Sequence, residues 1–259
     1  SAGVPGTVDG MWQLHQKHGS LSWQRLLQPA IEFAEQGFKV HVKLAKAIDN
    51  IIGYYQKSAI DVNFAEHFGG LKAGAIFVQP QLANTLKRIA THGRKGFYQG
   101  KTADQIVAFM DKHSGIINHS DLSSYQAKWR TPISQPWFGY QVLTAPPPSS
   151  GGIAILQWLK MYQLLAEKPT DITHNSKQYI HLLAEIGKRV FADRAEYLGD
   201  PDFVKVPVAQ LIDQQYLRKR SQGINEKAIS VTEKIKPGLT ESEDTTHFSI
   251  VDKWGNAVS

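Results

Sequence analysis

Apolar residues recur at helical spacing through the first hundred positions, and glycine closes most of the runs. Val8, Met11, Trp12 and Leu14 predict a helix over residues 8–18, with Gly19 as its cap. Ser22 is placed to cap a second helix carrying Trp23, Leu26, Leu27, Ala30, Ile31 and Ala34, stopped at Gly37. Pro29 falls inside that run and predicts a kink or a late start. Val42, Ala45, Ile48, Ile52 and Tyr55 define a third helix, and Leu82, Leu86 and Ile89 a fourth over 79–91 before Gly93. Thr102 followed by Gln105 reads as a capping box opening a helix with Ile106, Phe109 and Met110.

The pattern then changes. Residues 125–133 alternate as a strand does, and 137–144 have aromatic and β-branched strand content. Pro132 and Pro136 place their junction at a sheet edge or bend. After the 146–152 Pro/Ser/Gly stretch comes an apolar helix with Ile153, Leu156, Leu159, Met161 and Leu164. A longer helix is predicted over about 176–197, with Ile180, Leu183, Ile186, Val190 and Phe191 in phase. Pro207 starts a shorter one with Leu211, Ile212 and Leu217. From 222 to 244 the chain is polar and aperiodic, an extended connector. Residues 246–251 alternate again, 252–256 make a turn, and 257–259 return as a strand that breaks off, which predicts a piece of a longer protein. The expected organisation is therefore a helical region over 1–221 with a short β segment near 125–145, a connector over 222–244, and the start of a hairpin over 245–259.

Composition narrows the function. The 259 residues are 42% hydrophobic and 20% charged, ordinary globular values. No stretch approaches the roughly 20 apolar residues of a membrane span. The net charge of +6 comes from scattered residues. The densest cluster, Arg218-Lys219-Arg220, is read as a solvated helix terminus rather than a nucleic-acid surface. The absence of cysteine removes disulfides, thiolate catalysis and Cys-type zinc sites.

Candidate chemistry is sparse. The ten histidines show no metal-ligand spacing, and His181 reads as a packed or surface residue of its helix. Asp193, Glu196, Asp200 and Asp202 could gather at a helix end, but interleaved Arg194 and Lys205 favour ion pairs and loop capping over a cation site. The glycines of 4–10 and 146–152 match no phosphate-loop spacing. Thr245 remains. A threonine hydroxyl is a poor nucleophile unless a base takes its proton, and an α-amine with pKa near ~8 on the same residue would serve. That requires scission between Asp244 and Thr245; the alternative is a threonine that merely begins a strand.

Five stretches together change the balance. Residues 245–258, 131–134, 146–152, 192–204 and 4–8, with Gln28-Pro29-Ala30 at a fitting distance from the last, resemble in order the γ-glutamyltranspeptidase family. The resemblance spans the large-subunit pattern and the start of the small subunit. It implies an α+β, helix-rich fold, part of the four-layer αββα sandwich of N-terminal-nucleophile hydrolases with an incomplete sheet. It implies Thr245 as nucleophile after cleavage of the Asp244–Thr245 bond, with no metal and no cofactor. The partners it implies are glutathione and other γ-glutamyl amides, amino-acid or peptide acceptors, water, and the remainder of the small subunit; nucleic acid and membrane are not among them. It further implies export to the periplasm or beyond, and a fragment that is unprocessed and inactive alone. Related acylases acting on β-lactam side chains and poly-γ-glutamate depolymerases would share the threonine. A non-catalytic helical scaffold is the reading from another class. Asp244 departs from the uncharged polar residue that the family pattern leads one to expect there.

Overall fold

The glycine-closed apolar runs form helices in a computed structural model that describes residues 3–58, 63–166, 172–225, 227–239, 250–251 and 257–258, the last two pairs by backbone alone. The chain divides into two units, residues 1–129 and 130–259. The fold is helix-rich α+β, and the described strands form three two-stranded antiparallel pairs.

In the first unit, α1 spans Thr7–His18 and α2 spans Trp23–Gln36, the latter capped by the Ser22 hydroxyl. No late start occurs. The helix runs unbroken through Pro29, whose side lies exposed, so water can serve the carbonyl left without a partner. Strand β1, Phe38–Lys39, pairs with β2, Ile76–Phe77, across the intervening α3, Val42–Lys57, and α4, Phe64–Phe68. Helix α5, Pro80–His92, packs on α2 through buried Ile31, Ala34, Ala83 and Ala90, and the Trp23 indole donates to the Ile89 carbonyl at 2.9 Å. Three shorter helices follow: α6 Lys95–Tyr98, α7 Lys101–Lys112 and α8 His119–Ser124.

The expected capping box at Thr102 is not one. Gly100 caps α7, and buried Thr102 instead donates to the Gly96 carbonyl at 2.8 Å while accepting from Arg88 Nε at 2.9 Å. A true capping box joins Asn118 and Asp121 at the head of α8.

Asp9, on the first turn of α1, is the polar centre of this unit and is only 1% exposed. It accepts from Arg94 Nε at 2.7 Å, Gln13 Nε2 at 2.8 Å and the Ala127 N–H at 2.6 Å. Beside it the Tyr98 hydroxyl accepts from the Asp9 N–H and donates to the Pro5 carbonyl at 2.6 Å. This clamp overturns the strand expected over 125–133: Tyr125 stacks on Tyr98, and the Tyr125 and Ala127 main-chain groups bond to Arg94 and Asp9 instead of a strand partner.

The second unit opens with the hairpin of β3, Ile133–Trp137, and β4, Tyr140–Thr144, in which Pro136 faces Gln141. Its two-residue turn places Phe138 and Gly139 at φ 44° and 83°, as a type I′ turn needs. Helix α9, Ser150–Leu165, packs against α10, Lys177–Tyr197. The helix predicted after Pro207 is two: α11, Val208–Leu211, and α12, Gln214–Gln222, because the Asp213 carboxylate caps a fresh start at 2.9 Å from the Tyr216 N–H. Met161, Leu182, Ile186, Val190 and Leu217 form the core of this unit. A 3₁₀ turn at Thr232–Lys234 follows, and then β5, Ile250–Val251, and β6, Ala257–Val258, pair antiparallel. The expected strand and return are thus present at those positions, while the alternation over 246–249 and the turn over 252–256 lie outside the described residues. Among those residues no helix is long and apolar enough to cross a membrane.

Candidate functional site

Asp244 and Thr245 lie outside the described residues. The described residues that precede them in sequence, 227–239, lie on a surface built by α10 and α12.

Helix α10 buries only part of the face its apolar residues suggested. Ile180 and Phe191 are exposed, whereas Leu182, Ile186 and Val190 are buried together with Glu185, Arg189 and Asp193. His181, Glu185, Arg189, Asp193 and Tyr197 follow one another at four-residue spacing, a single ridge winding slowly along the helix. Each member bonds into the segment that follows α12 or into α12 itself.

Glu185 is 1% exposed and accepts from Lys188 Nζ at 2.7 Å, from the Ser230 N–H at 2.9 Å and from Arg189 Nη1 at 3.1 Å. Burial alone would raise its pKa, but the hydrogen bonds from Lys188, Ser230 and Arg189 prevail and bring it down to about 2. Arg189 also donates to the carbonyls of Gly223 and, at 3.1 Å, Arg220. Lys188 completes the grip on Ser230 by donating to its carbonyl at 2.8 Å.

Asp193 is the second buried carboxylate. It accepts from the Tyr216 hydroxyl at 2.6 Å, Arg220 Nη2 at 2.8 Å, the Gly238 N–H at 3.0 Å and Gln157 Nε2 at 3.4 Å. Burial, reinforced by this carboxylate, pushes the Tyr216 phenol well above its ordinary pKa, so it stays a donor. Arg220 is therefore no solvated helix terminus: its other bonds go to the carbonyls of Arg189 at 2.9 Å and Lys236 at 3.0 Å.

The four carboxylates read together in the sequence do not meet. Asp200 and Asp202 pair with Arg130, Arg194 donates to the Ser150 hydroxyl at 2.9 Å, and Glu196 is exposed. Among the described residues no group of His, Asp and Glu could hold a metal ion. His181 bonds the Asn225 carbonyl at 2.8 Å, a packing role. Glu185, Arg189 and Arg220 were missed because charge hid their burial, and Tyr216 because it falls in a short polar helix; the four-residue spacing of polar groups on α10 was the available signal.

Glu185 sets a pH-dependent contribution to stability. Its folded pKa of about 2 lies below its ordinary 4.5, so the contribution is complete above the higher value and is lost as pH falls through the lower. The shift corresponds to on the order of 3 kcal/mol at neutral pH. Glu185→Gln is expected to cost about that much near pH 7 and little near pH 2. Urea unfolding at both pH values checks it, and equal losses at the two would refute the assignment.

Comparison with known proteins places this arrangement. The family profile described as Gamma-glutamyltranspeptidase matches residues 1–259. The chain belongs to the γ-glutamyltranspeptidase family. The glutathione hydrolase proenzyme of Pseudomonas aeruginosa is 52% identical over 259 residues, covering 100% of this chain and 46% of that protein, so the chain spans about half the length of the curated relatives it matches. The γ-glutamyltranspeptidase of Pseudomonas nitroreducens, solved in complex with L-DON, superposes with TM-score 0.86 at 49% identity, covering 92% of this chain and 70% of that one. That of Helicobacter pylori gives 0.86 at 36% identity, covering 95% and 70%. The helix-rich α+β fold and its N-terminal-nucleophile hydrolase class agree with these structures. The family match includes the α10 ridge, Asp244, Thr245 and β6.

Proposed function

We propose that this chain carries the processing site and nucleophile of an autoprocessing γ-glutamyltransferase that also hydrolyses glutathione. The family match extending across the Asp244–Thr245 bond supports the reading, as does the name proenzyme borne by a relative 52% identical. In the first step the Thr245 hydroxyl attacks the Asp244 carbonyl carbon. The peptide C–N bond breaks as the acyl group passes to oxygen, the former amide nitrogen becomes the Thr245 amine, and water hydrolyses the ester. In the second step that amine takes the Thr245 hydroxyl proton while the oxygen attacks the γ-glutamyl carbonyl. The tetrahedral oxyanion collapses to an acyl-enzyme with loss of the substrate's amine. Water resolves the acyl-enzyme in hydrolysis, and the amine of an amino acid or peptide does so in transfer.

Glutathione and related γ-glutamyl amides are the proposed substrates, and the periplasm or the exterior the proposed location. The chemistry assigned to the threonine needs neither metal nor organic cofactor.

The test is mass spectrometry of the full-length protein after incubation, followed by addition of a γ-glutamyl anilide. The expected result is two polypeptides, the second beginning at Thr245, and a γ-glutamyl adduct on that residue early in turnover. A new N-terminus elsewhere, or an adduct on another side chain, would overturn the reading. Turnover of a β-lactam side-chain amide or of poly-γ-glutamate, with none of the anilide, would keep the threonine and change the substrate.

A further inference from the structure

The connector is held mainly through its own main chain. Along α10 the His181 ring meets the Asn225 carbonyl, Glu185 takes the Ser230 N–H, Asp193 takes the Gly238 N–H, and the Tyr197 hydroxyl donates to the Leu239 carbonyl at 2.7 Å. Both series advance in the same direction, so the segment runs parallel to the helix as far as Tyr197.

We propose that this docked segment guides chain scission: the α10 ridge fixes its register, and Asp193, Tyr197 and Gly238 are positioning residues that set how far the Asp244–Thr245 bond lies from a fixed point. The inference rests on the reading of Thr245 given above.

Three observations support it. First, Glu185 and Asp193 are carboxylates buried to 1% exposure inside a helix-packing surface. Helix packing alone is served as well or better by apolar residues of similar volume. Here the carboxylates reach past the helices to main-chain N–H groups of the connector.

Second, Gly238 sits where no larger residue fits. A β-carbon there would lie 2.6 Å from the Tyr216 hydroxyl and 2.8 Å from Arg220 Nε, with Arg220 Cδ closer still. Both side chains are pinned on Asp193 and cannot withdraw without breaking the network.

Third, the spacing limits where the reactive bond can be. Leu239 precedes Thr245 by six residues, so an extended chain carries that residue no more than roughly 20 Å from its last anchor. Freed at Gly238 and Leu239, and with the Arg220 hydrogen bond to the Lys236 carbonyl broken as well, the chain would be anchored only at Ser230. Its reach would then be roughly 50 Å. For a flexible tether, effective concentration falls as about the −3/2 power of length, so this release alone costs about 4-fold in encounter, before any loss of orientation.

The test follows conversion of the full-length precursor into two polypeptides over time in wild type, Gly238→Ala, Tyr197→Phe and Thr245→Ala. Gly238→Ala is expected to convert about 4-fold or more slowly. Tyr197→Phe should fall between it and wild type, because one anchor of the pair survives. In both, the turnover per processed molecule should match wild type, a separation that a merely structural role does not produce. Conversion of both variants at the wild-type rate, with Thr245→Ala inert, would overturn the guide and leave the nucleophile standing. Slow conversion that tracks a lowered melting temperature and poorer turnover would also overturn it. Conversion of Thr245→Ala at the wild-type rate would remove the nucleophile, and the guide with it.

Discussion

Thr245→Ala in the full-length protein is expected to leave a single uncut polypeptide and to lower γ-glutamyl turnover by roughly 10⁴-fold or more. The loss has two separable parts. In the proposed mechanism the hydroxyl is needed for both bond-breaking steps, whereas the amine exists only after the first. Supplying the two halves as separate polypeptides, the second beginning at residue 245, isolates the second step. A half that starts with threonine should be active without scission. One that starts with alanine should be inactive although its amine is present. Thr245→Ser keeps both groups and should retain part of each activity. Denaturing gels and an anilide assay read all of these, and an alanine variant that matures and turns over normally ends the proposal.

Asp9→Ala is expected to destabilise residues 3–129 by about 3–5 kcal/mol, the usual result of removing one partner from a buried ion pair. The change strands part-buried Arg94, leaves the Ala127 N–H without its acceptor, and loosens Gln13. Burial by itself would raise the Asp9 pKa, but the bonds from Ala127, Arg94 and Gln13 hold it below its ordinary 3.8. Its contribution is therefore complete above that ordinary value and disappears as pH falls through the folded one. Urea unfolding at neutral pH, followed by tryptophan fluorescence, measures the effect. Asp104→Ala is the control: that carboxylate is 66% exposed opposite His119, and its removal should shift stability by no more than about 0.5 kcal/mol. Equal losses for the two variants would show that the clamp holds nothing.

Much of the helical framework was legible because long amphipathic runs bounded by glycine or by Ser22 and Ser176 carry a periodic signal. Elements of two to six residues are too short to show a period, which is why β1, β2, α4, α6 and α8 were not anticipated. Residues 125–132 were misread for a different reason. At Tyr125 and Ala127 the alternation reflects half-burial against α6 and α1, and the main-chain groups that a ladder would use there are taken by Arg94 and Asp9. At the candidate site Thr245 stood out only through resemblance, since one threonine before an alternating run is ordinary β sequence. The α10 ridge was not read because Glu, Arg and Asp are seldom fully buried, and a pattern of charged residues is taken for a solvated face.

Attachment through peptide groups leaves the connector's composition largely free and its length constrained. Between Ser230 and Gly238 most side chains touch neither carboxylate, so exchange there should be tolerated in related chains. An inserted or deleted residue would move every later atom about 3.4 Å along the path and break the match with α10. Drift over evolutionary time should therefore appear in this stretch as replacement rather than as gaps.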